Sequence, residues 1–260
     1  MQVTTREKLR LGTTELGRIG LGTNRLRSRP ENVALLQEAI AAGVGMIDTA
    51  HSYTGGESEE TIGSALSPNH EHRVVATKGG WGGAGHGRPD VLRAEIEESL
   101  RRLRTRRIDL YYLHRVDPDT PVEESVAVMN EYRERGEIEH LGLSEVGVET
   151  IEQARKVAPI AAVQNQYNLA ERKHDEVVDH CASEGIVFVP FYPLRTDGRR
   201  ELAEIATAHD ATSKQIALAW LLGRSPTMLP IPGTLSREHL RENVGALEIE
   251  LTDAEFDALR

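Results

Sequence analysis

Eight short apolar runs, each followed by a stretch with helical periodicity, constrain this chain more than any other feature. The runs span 18–21, 45–49, 74–78, 108–114, 138–144, 161–165, 186–191 and 228–231. Strand and helix alternating with short connections imply parallel strands, because a parallel pair needs a crossover that a helix supplies. Eight such units favour closure into a (β/α)8 barrel, and the 260 residues match the roughly 250 that this fold takes. An open doubly wound sheet would carry G-x-G-x-x-G after its first strand, and Gly20–Asn24 reads GLGTN instead. No linker or low-complexity tract divides the chain, so residues 1–260 are expected to form a single barrel domain.

The connecting segments carry helix signals. Leu92, Ile96, Leu100 and Leu103 form one apolar stripe among charges. Pro30 opens an earlier helix and Gly43 closes it. Thr120-Pro121-Val122-Glu123 reads as an N-cap, a first-turn proline and a capping-box glutamate. The segment Leu9–Leu16 suits a hairpin closing the barrel floor, and Thr252–Leu259 suits a capped final helix.

Charge and composition narrow the function. A net charge of −10 argues against nucleic acid, which needs a concentrated basic surface. Nothing approaches the roughly 20 apolar residues of a membrane span, and no signal-peptide pattern opens the chain, so a cytoplasmic protein is expected. The lone cysteine, Cys181, falls with Val177 and Val178 on an apolar helical face and reads as a core thiol.

In a barrel, polar residues at the C-terminal ends of strands point into one shared mouth. Asp48, Lys78 and His114 end the second, third and fourth runs, and Tyr53 follows the second. Singly, each has an ordinary structural reading: a rim ion pair, a loop aromatic, a hydrogen-bonded histidine. Together they fit carbonyl reduction. Hydride addition leaves an alkoxide that needs a proton, and a phenol with a pKa near 10 donates well only if its anion is stabilised. Lys78 would stabilise it, Asp48 would hold the ammonium charged and aimed, and His114 would orient the carbonyl oxygen. Lys78 is one of only five lysines, which strengthens its assignment to the mouth. No metal is required.

The segments MIDTAHSY (46–53), VVATKGGW (74–81), IDLYYLHR (108–115), LGLSEV (141–146), VQNQYN (163–168) and IPGT…EN (231–243) resemble the aldo-keto reductase superfamily. They occur in the family's order, one per strand, over nearly the whole chain. The resemblance implies that Tyr53 is the acid/base, supported by Lys78 and Asp48, with His114 positioning the carbonyl. It implies NADPH as cofactor and a small aldehyde or ketone as substrate. Ser144 and Gln164 would hold the carboxamide and Phe191 the nicotinamide ring, with Pro193 and Leu194 beside it. Gly22, Thr23 and Asn24 would border cofactor and substrate, and Glu242 and Asn243 would bind adenine.

Three positions depart from the family's pattern. Glu145 replaces an asparagine, and Gly233 and His239 replace basic residues that grip the 2′-phosphate. Arg237, Thr234 and Ser236, at a helix N-terminus, could compensate, and NADH stays open. The short segment after Leu194 leaves no room for the long loops of steroid-binding relatives.

The glycine-rich run Gly79–Gly87 lacks a P-loop ending and reads as a mobile loop presenting Trp81 to substrate. His51 is expected to shape the pocket. His70 and His72 flank Glu71 without support for a metal, Arg101–Arg107 reads as a solvated helix end, and Trp220 as packing. Two other classes remain: a cofactor-binding regulatory subunit with little turnover, and a barrel lyase whose Lys78 forms a Schiff base. The assembly is expected to be a monomer or small homo-oligomer.

Overall fold

A computed structural model of the chain describes residues 8–66 and 74–260. The positions 70–72, and with them His70, Glu71 and His72, lie outside the described residues. The first two strands, β1 (Leu9–Leu11) and β2 (Thr14–Leu16), form an antiparallel hairpin. Seven parallel strands follow in sequence order: β3 (Gly20–Gly22), β4 (Met46–Asp48), β5 (Val74–Gly79), β6 (Ile108–Leu113), β7 (Ile138–Ser144), β8 (Ile160–Gln164) and β9 (Val187–Phe188).

The eighth expected strand, 228–231, closes the barrel without a regular ladder. Leu229 and Ile231 donate backbone hydrogen bonds to Phe188 and Pro190, while the Pro230 and Pro232 carbonyls accept from Gly20 and Gly22. Two prolines lacking N–H groups explain why only isolated bridges, Phe188 with Met228 and Gly22 with Gly233, are present there. The fold is therefore a (β/α)8 barrel.

Helices fill the crossovers: α1 (Pro30–Ala41), α2 (Glu57–Leu66), α3 (Pro89–Leu103), α4 (Val122–Glu134), α5 (Val148–Arg155) and α6 (Asp175–Glu184). Then come α7 (Arg200–Ala208), α8 (Ser213–Arg224), α9 (Arg237–Gly245) and α10 (Asp253–Ala258). Pro30 stands at the start of α1, and Gly43 follows its end at a φ of +82°, where a side chain would be strained. Thr252 and Glu255 make the capping box of α10. Thr120 does not cap α4: its hydroxyl donates to Asp117 at 2.9 Å, and the helix opens on Pro121 without a side-chain cap. None of the described helices is long and apolar enough to cross a membrane.

The period-two alternation of the strands separates two cores. Ile47, Val75, Tyr111, Leu113, Leu141, Leu143 and Val163 face outward and pack with helix residues such as Leu92, Ile96 and Trp220. Met46, Val74, Ala76, Leu110, Tyr112 and Ala162 face inward and pack with Leu9, Leu11 and Leu16 of the hairpin, which closes the floor. Gly142 belongs to the inward row, where a Cβ would lie 2.4 Å from the Tyr112 ring, so glycine makes room for that ring. Trp220 stacks between Tyr167 and Phe256, and Cys181 is buried on α6 with its thiol pushed up to about 12 by desolvation.

Candidate active site

The inward row changes character in its last layer. Below lie Met46, Val74 with Ala76, Leu110 with Tyr112, and Ala162. Two residues further along the same strands come Asp48, Lys78, His114, Ser144 and Gln164, all buried. Strand register sets their neighbours: Asp48 pairs with Ala76, Lys78 with Tyr112, and Ser144 with Gln164. Side chains that would have made one more apolar layer instead form a polar floor beneath an open cavity of about 660 Å³.

Lys78 is wholly buried, and each of its three ammonium hydrogens has an acceptor. Nζ lies 2.7 Å from Asp48 Oδ2, 2.7 Å from the Thr49 carbonyl and 3.4 Å from Tyr53 Oη. Asp48 Oδ1 accepts from Gln164 Nε2 at 2.7 Å, so both carboxylate oxygens are engaged. Burial opposes the charge on Lys78, yet Asp48 and Tyr53 together hold its pKa above the ordinary value. Burial raises the Tyr53 phenol, Lys78 pulls it partly back, and the net direction is upward. The phenol is therefore protonated at neutral pH.

Tyr53 sits at the start of a short 3-10 turn, Tyr53–Gly56. Thr54, Gly55 and Gly56 follow it with φ of +50°, +69° and +95°. Thr54 is β-branched, so this backbone costs it about 1–3 kcal/mol. Its hydroxyl compensates by donating to the Leu26 carbonyl at 3.0 Å. The strained turn thus sets the phenol over Lys78 while anchoring to the loop after β3.

His114 faces the Tyr53 ring edge-on, with centroids 5.8 Å apart, and lies against Trp81 at 4.5 Å. Desolvation, Lys78 and Arg115 push its pKa down to about 2. The imidazole is neutral across the physiological range. It can donate a hydrogen bond but does not bring a positive charge.

Trp81 lines the cavity with Phe191, Pro193, Leu194, Gly22, Thr23, Asn24 and Gly233. Its glycine-rich loop is tied down, contrary to the expectation of a mobile cover. Glu95 accepts from the Gly80 N–H at 2.6 Å, and Asp117 accepts from Gly85 and Gly87 at 3.1 and 2.9 Å. His51 does not line the cavity. Its carbonyl and ring instead meet Arg102 of α3, at 3.1 and 3.3 Å. Arg102 is accordingly not a solvated arginine: it also pairs with Glu59 and Glu98, and Glu59 accepts from Thr77 behind β5.

A second cavity of about 540 Å³ shares Arg25, Leu194 and Gly233 with the first, making a continuous groove across the barrel mouth. Thr234, Ser236, His239, Glu242 and Asn243 line it. Arg237 does not: it is turned to Glu38 of α1 at 3.3 Å, where Arg241 also pairs. Ser236 caps α9 by accepting from the His239 N–H, and Thr234 Oγ1 accepts from the Ser236 N–H. Among the described residues, the lysine and arginine side chains lining this second cavity are Lys214, at the start of α8, and Arg25. Neither stood out in the sequence.

Glu145 also turns away from the cavity. It holds a left-handed φ of +57°, which asparagine tolerates better than glutamate. Its carboxylate accepts from the Gln166 N–H and faces Lys173 and His174. Those partners, with desolvation opposing, take its pKa down to about 2.

Comparison with known proteins places this geometry. A sequence model of the aldo/keto reductase family matches residues 18–260. An uncharacterized oxidoreductase of Schizosaccharomyces pombe is 38% identical, covering 96% of this chain and 88% of its own length. Pyridoxine 4-dehydrogenase of Escherichia coli is 35% identical, covering 96% of both chains. The structure of an aldo-keto reductase from Klebsiella pneumoniae in complex with NADPH superposes with a TM-score of 0.88 at 29% identity. That match covers 98% of this chain and 94% of the other. Fold and relatives alike are those of oxidoreductases. The chain belongs to the aldo/keto reductase family.

Proposed function

We propose that this chain is an NADPH-dependent reductase of small aldehydes and ketones, with Tyr53 as proton donor and Lys78, Asp48 and His114 as its partners. The observation that carries the reading is the fully engaged Lys78 ammonium beneath the Tyr53 hydroxyl. A bound dinucleotide supplies the hydride. The chain's own task is to hold the carbonyl and deliver a proton as negative charge builds on its oxygen.

Tyr53 starts protonated, as a donor must. The phenolate left after transfer is stabilised by the adjacent ammonium, and Asp48 keeps that ammonium charged and aimed. His114, neutral and beside Tyr53, offers an N–H to the carbonyl oxygen and fixes its approach. Burial of the group strengthens each of these interactions by lowering the local dielectric.

The groove fits an extended dinucleotide. Ser144 and Gln164 are buried at one end, where their polar atoms suit a carboxamide, and Phe191 offers a ring face. Gly22, Thr23, Asn24, Pro193 and Leu194 form the middle, and Gly233 leaves the passage open. Thr234, Glu242 and Asn243 line the far end. Lys214 and Arg25 there replace the absent basic residues at Gly233 and His239 as partners for a 2′-phosphate, which favours NADPH over NADH.

The test is fluorescence titration with NADPH and NADH, followed by a panel of small aldehydes with the tighter cofactor. NADPH binding at lower concentration than NADH, with aldehyde-dependent NADPH oxidation, is the expected result. Cofactor binding without oxidation by any aldehyde or ketone would overturn the reductase reading.

A further inference from the structure

The cavity that holds Tyr53 and His114 contains a cation that the proposed reduction does not use. Arg115 follows His114 directly and is half-buried on the cavity wall. Its Nη1 donates to the His114 carbonyl at 2.6 Å and to Ser144 Oγ at 3.0 Å. The guanidinium lies over the Trp81 ring at 4.9 Å and the Phe191 ring at 5.9 Å. One bond to a backbone carbonyl, one to a side-chain hydroxyl and two aromatic faces fix its plane, leaving Nε and Nη2 without a hydrogen bond to the described residues.

A guanidinium taken partly out of water normally has a carboxylate beside it. Among the described residues, none forms an ion pair with Arg115. Glu145 acts on it only through space, since its carboxylate is held by the Gln166 N–H and Lys173. Desolvation accordingly lowers the Arg115 pKa. The cavity as a whole is cationic although the chain carries a net charge of −10. Its charged lining is Arg25, Arg115, Arg195 and Asp48, and Asp48 is neutralised by Lys78. Arg25 lies on the boundary with the second cavity, whereas Arg115 stands beside His114, where the carbonyl would be held.

We propose that Arg115 is a specificity-determining residue, selecting carbonyl substrates that carry a carboxylate, which its free N–H groups beside the Trp81 ring would receive. The planar fork suits a carboxylate held by two parallel bonds, and the aromatic faces exclude water from the pair. This inference rests on the reductase reading, with the substrate oxygen at His114 and Tyr53.

The experiment compares 4-carboxybenzaldehyde with its neutral methyl ester, which present the same ring and the same aldehyde. Wild-type protein should reduce the carboxylate with kcat/KM about ten- to hundredfold higher, the range of one charge-assisted hydrogen-bonded pair. Arg115→Met should bring the ratio of the two substrates to about one, and Arg115→Lys should keep only part of it because the fork is lost. The ratio is read within each variant, so a general loss of activity does not enter it. Calorimetry of benzoate against benzamide on the NADP-loaded protein reads the same site without turnover. Benzoate binding that Arg115→Met abolishes, in a protein that oxidises NADPH with no aldehyde or ketone, would support the anion site and sink the reductase reading. Equal reduction of acid and ester by wild type, or benzoate binding unchanged in Arg115→Met, would overturn the inference and leave the reductase reading standing. Failure of wild-type protein to bind benzoate would also overturn it.

Discussion

Lys78→Met takes the ammonium out of the buried layer while nearly preserving side-chain length. The ion pair with Asp48 is 2.7 Å long, and both partners are almost wholly buried. At an effective dielectric near 20, its gross Coulomb attraction is about 6 kcal/mol, much of it offset by the cost of drying both charges. Removing one partner leaves the carboxylate buried with Gln164 as its remaining side-chain donor. The expected loss is about 3–5 kcal/mol. For a chain of this size that is a fall in Tm of about 6–20 °C. Removing both charges, in Asp48→Asn with Lys78→Met, should recover most of the stability. It should recover none of the activity, because the phenolate would still lack its cation. Thermal unfolding followed by circular dichroism, alongside NADPH oxidation with a small aldehyde, reads the two effects separately. If the double variant is as unstable as Lys78→Met alone, the buried-charge argument fails. If either variant turns over at the wild-type rate, the assigned role of Lys78 fails.

Acid sensitivity follows from His114. The native imidazole stays neutral down to about 2, whereas an unfolded histidine takes up a proton near 6.5. The unfolded state therefore binds more protons, and stability falls by about 1.4 kcal/mol for each pH unit below about 6. His114→Asn removes this slope, so chemical denaturation at pH 7 and 4.5 should show a smaller acid loss than wild type. Asp109 works in the opposite sense: burial raises its carboxyl to about 6, although it accepts from the Val75 N–H. The unfolded carboxyl loses its proton near 4 while the native one keeps its proton to about 6, so stability is lost as pH rises across that window. Asp109→Asn should therefore raise Tm at pH 8 and leave it nearly unchanged at pH 4. Lys214→Ala should weaken NADPH about fivefold, the scale of one exposed charge pair, and leave NADH within about twofold by fluorescence titration. Equal weakening of both would remove Lys214 from the 2′-phosphate.

The barrel was legible because its signal is repeated: each apolar run is followed by a stripe such as Leu92–Ile96–Leu100–Leu103, and no run depends on its exact ends. The candidate catalytic four were legible for a related reason. Asp48, Lys78 and His114 are polar residues continuing inward-facing rows that are otherwise apolar, so alternation alone predicts convergence at one end. The closing segment was harder, since Met228–Ile231 has strand-like composition but Pro230 and the following Pro232 break the ladder. Side-chain direction on helices and loops was not legible. Arg237 looked like a phosphate partner because it opens α9, yet its face of the helix meets Glu38. Lys214 lies some twenty residues earlier on a different helix, and only tertiary packing brings it to the groove. Arg102 looked solvated among its neighbouring arginines, but it lies against the His51 loop and buried Glu59. Arg115 was visible in IDLYYLHR, though no local pattern revealed that it forms no ion pair among the described residues.

Tyr53→Phe offers the most direct measurement, because it deletes one oxygen from a half-buried ring and leaves the groove walls in place. Turnover of a small aldehyde should fall by about 10²–10⁴, the contribution of a positioned proton donor, while NADPH binding stays within about twofold of wild type. Turnover at an undiminished rate with the cofactor bound would contradict the account, since the proton would then come from elsewhere.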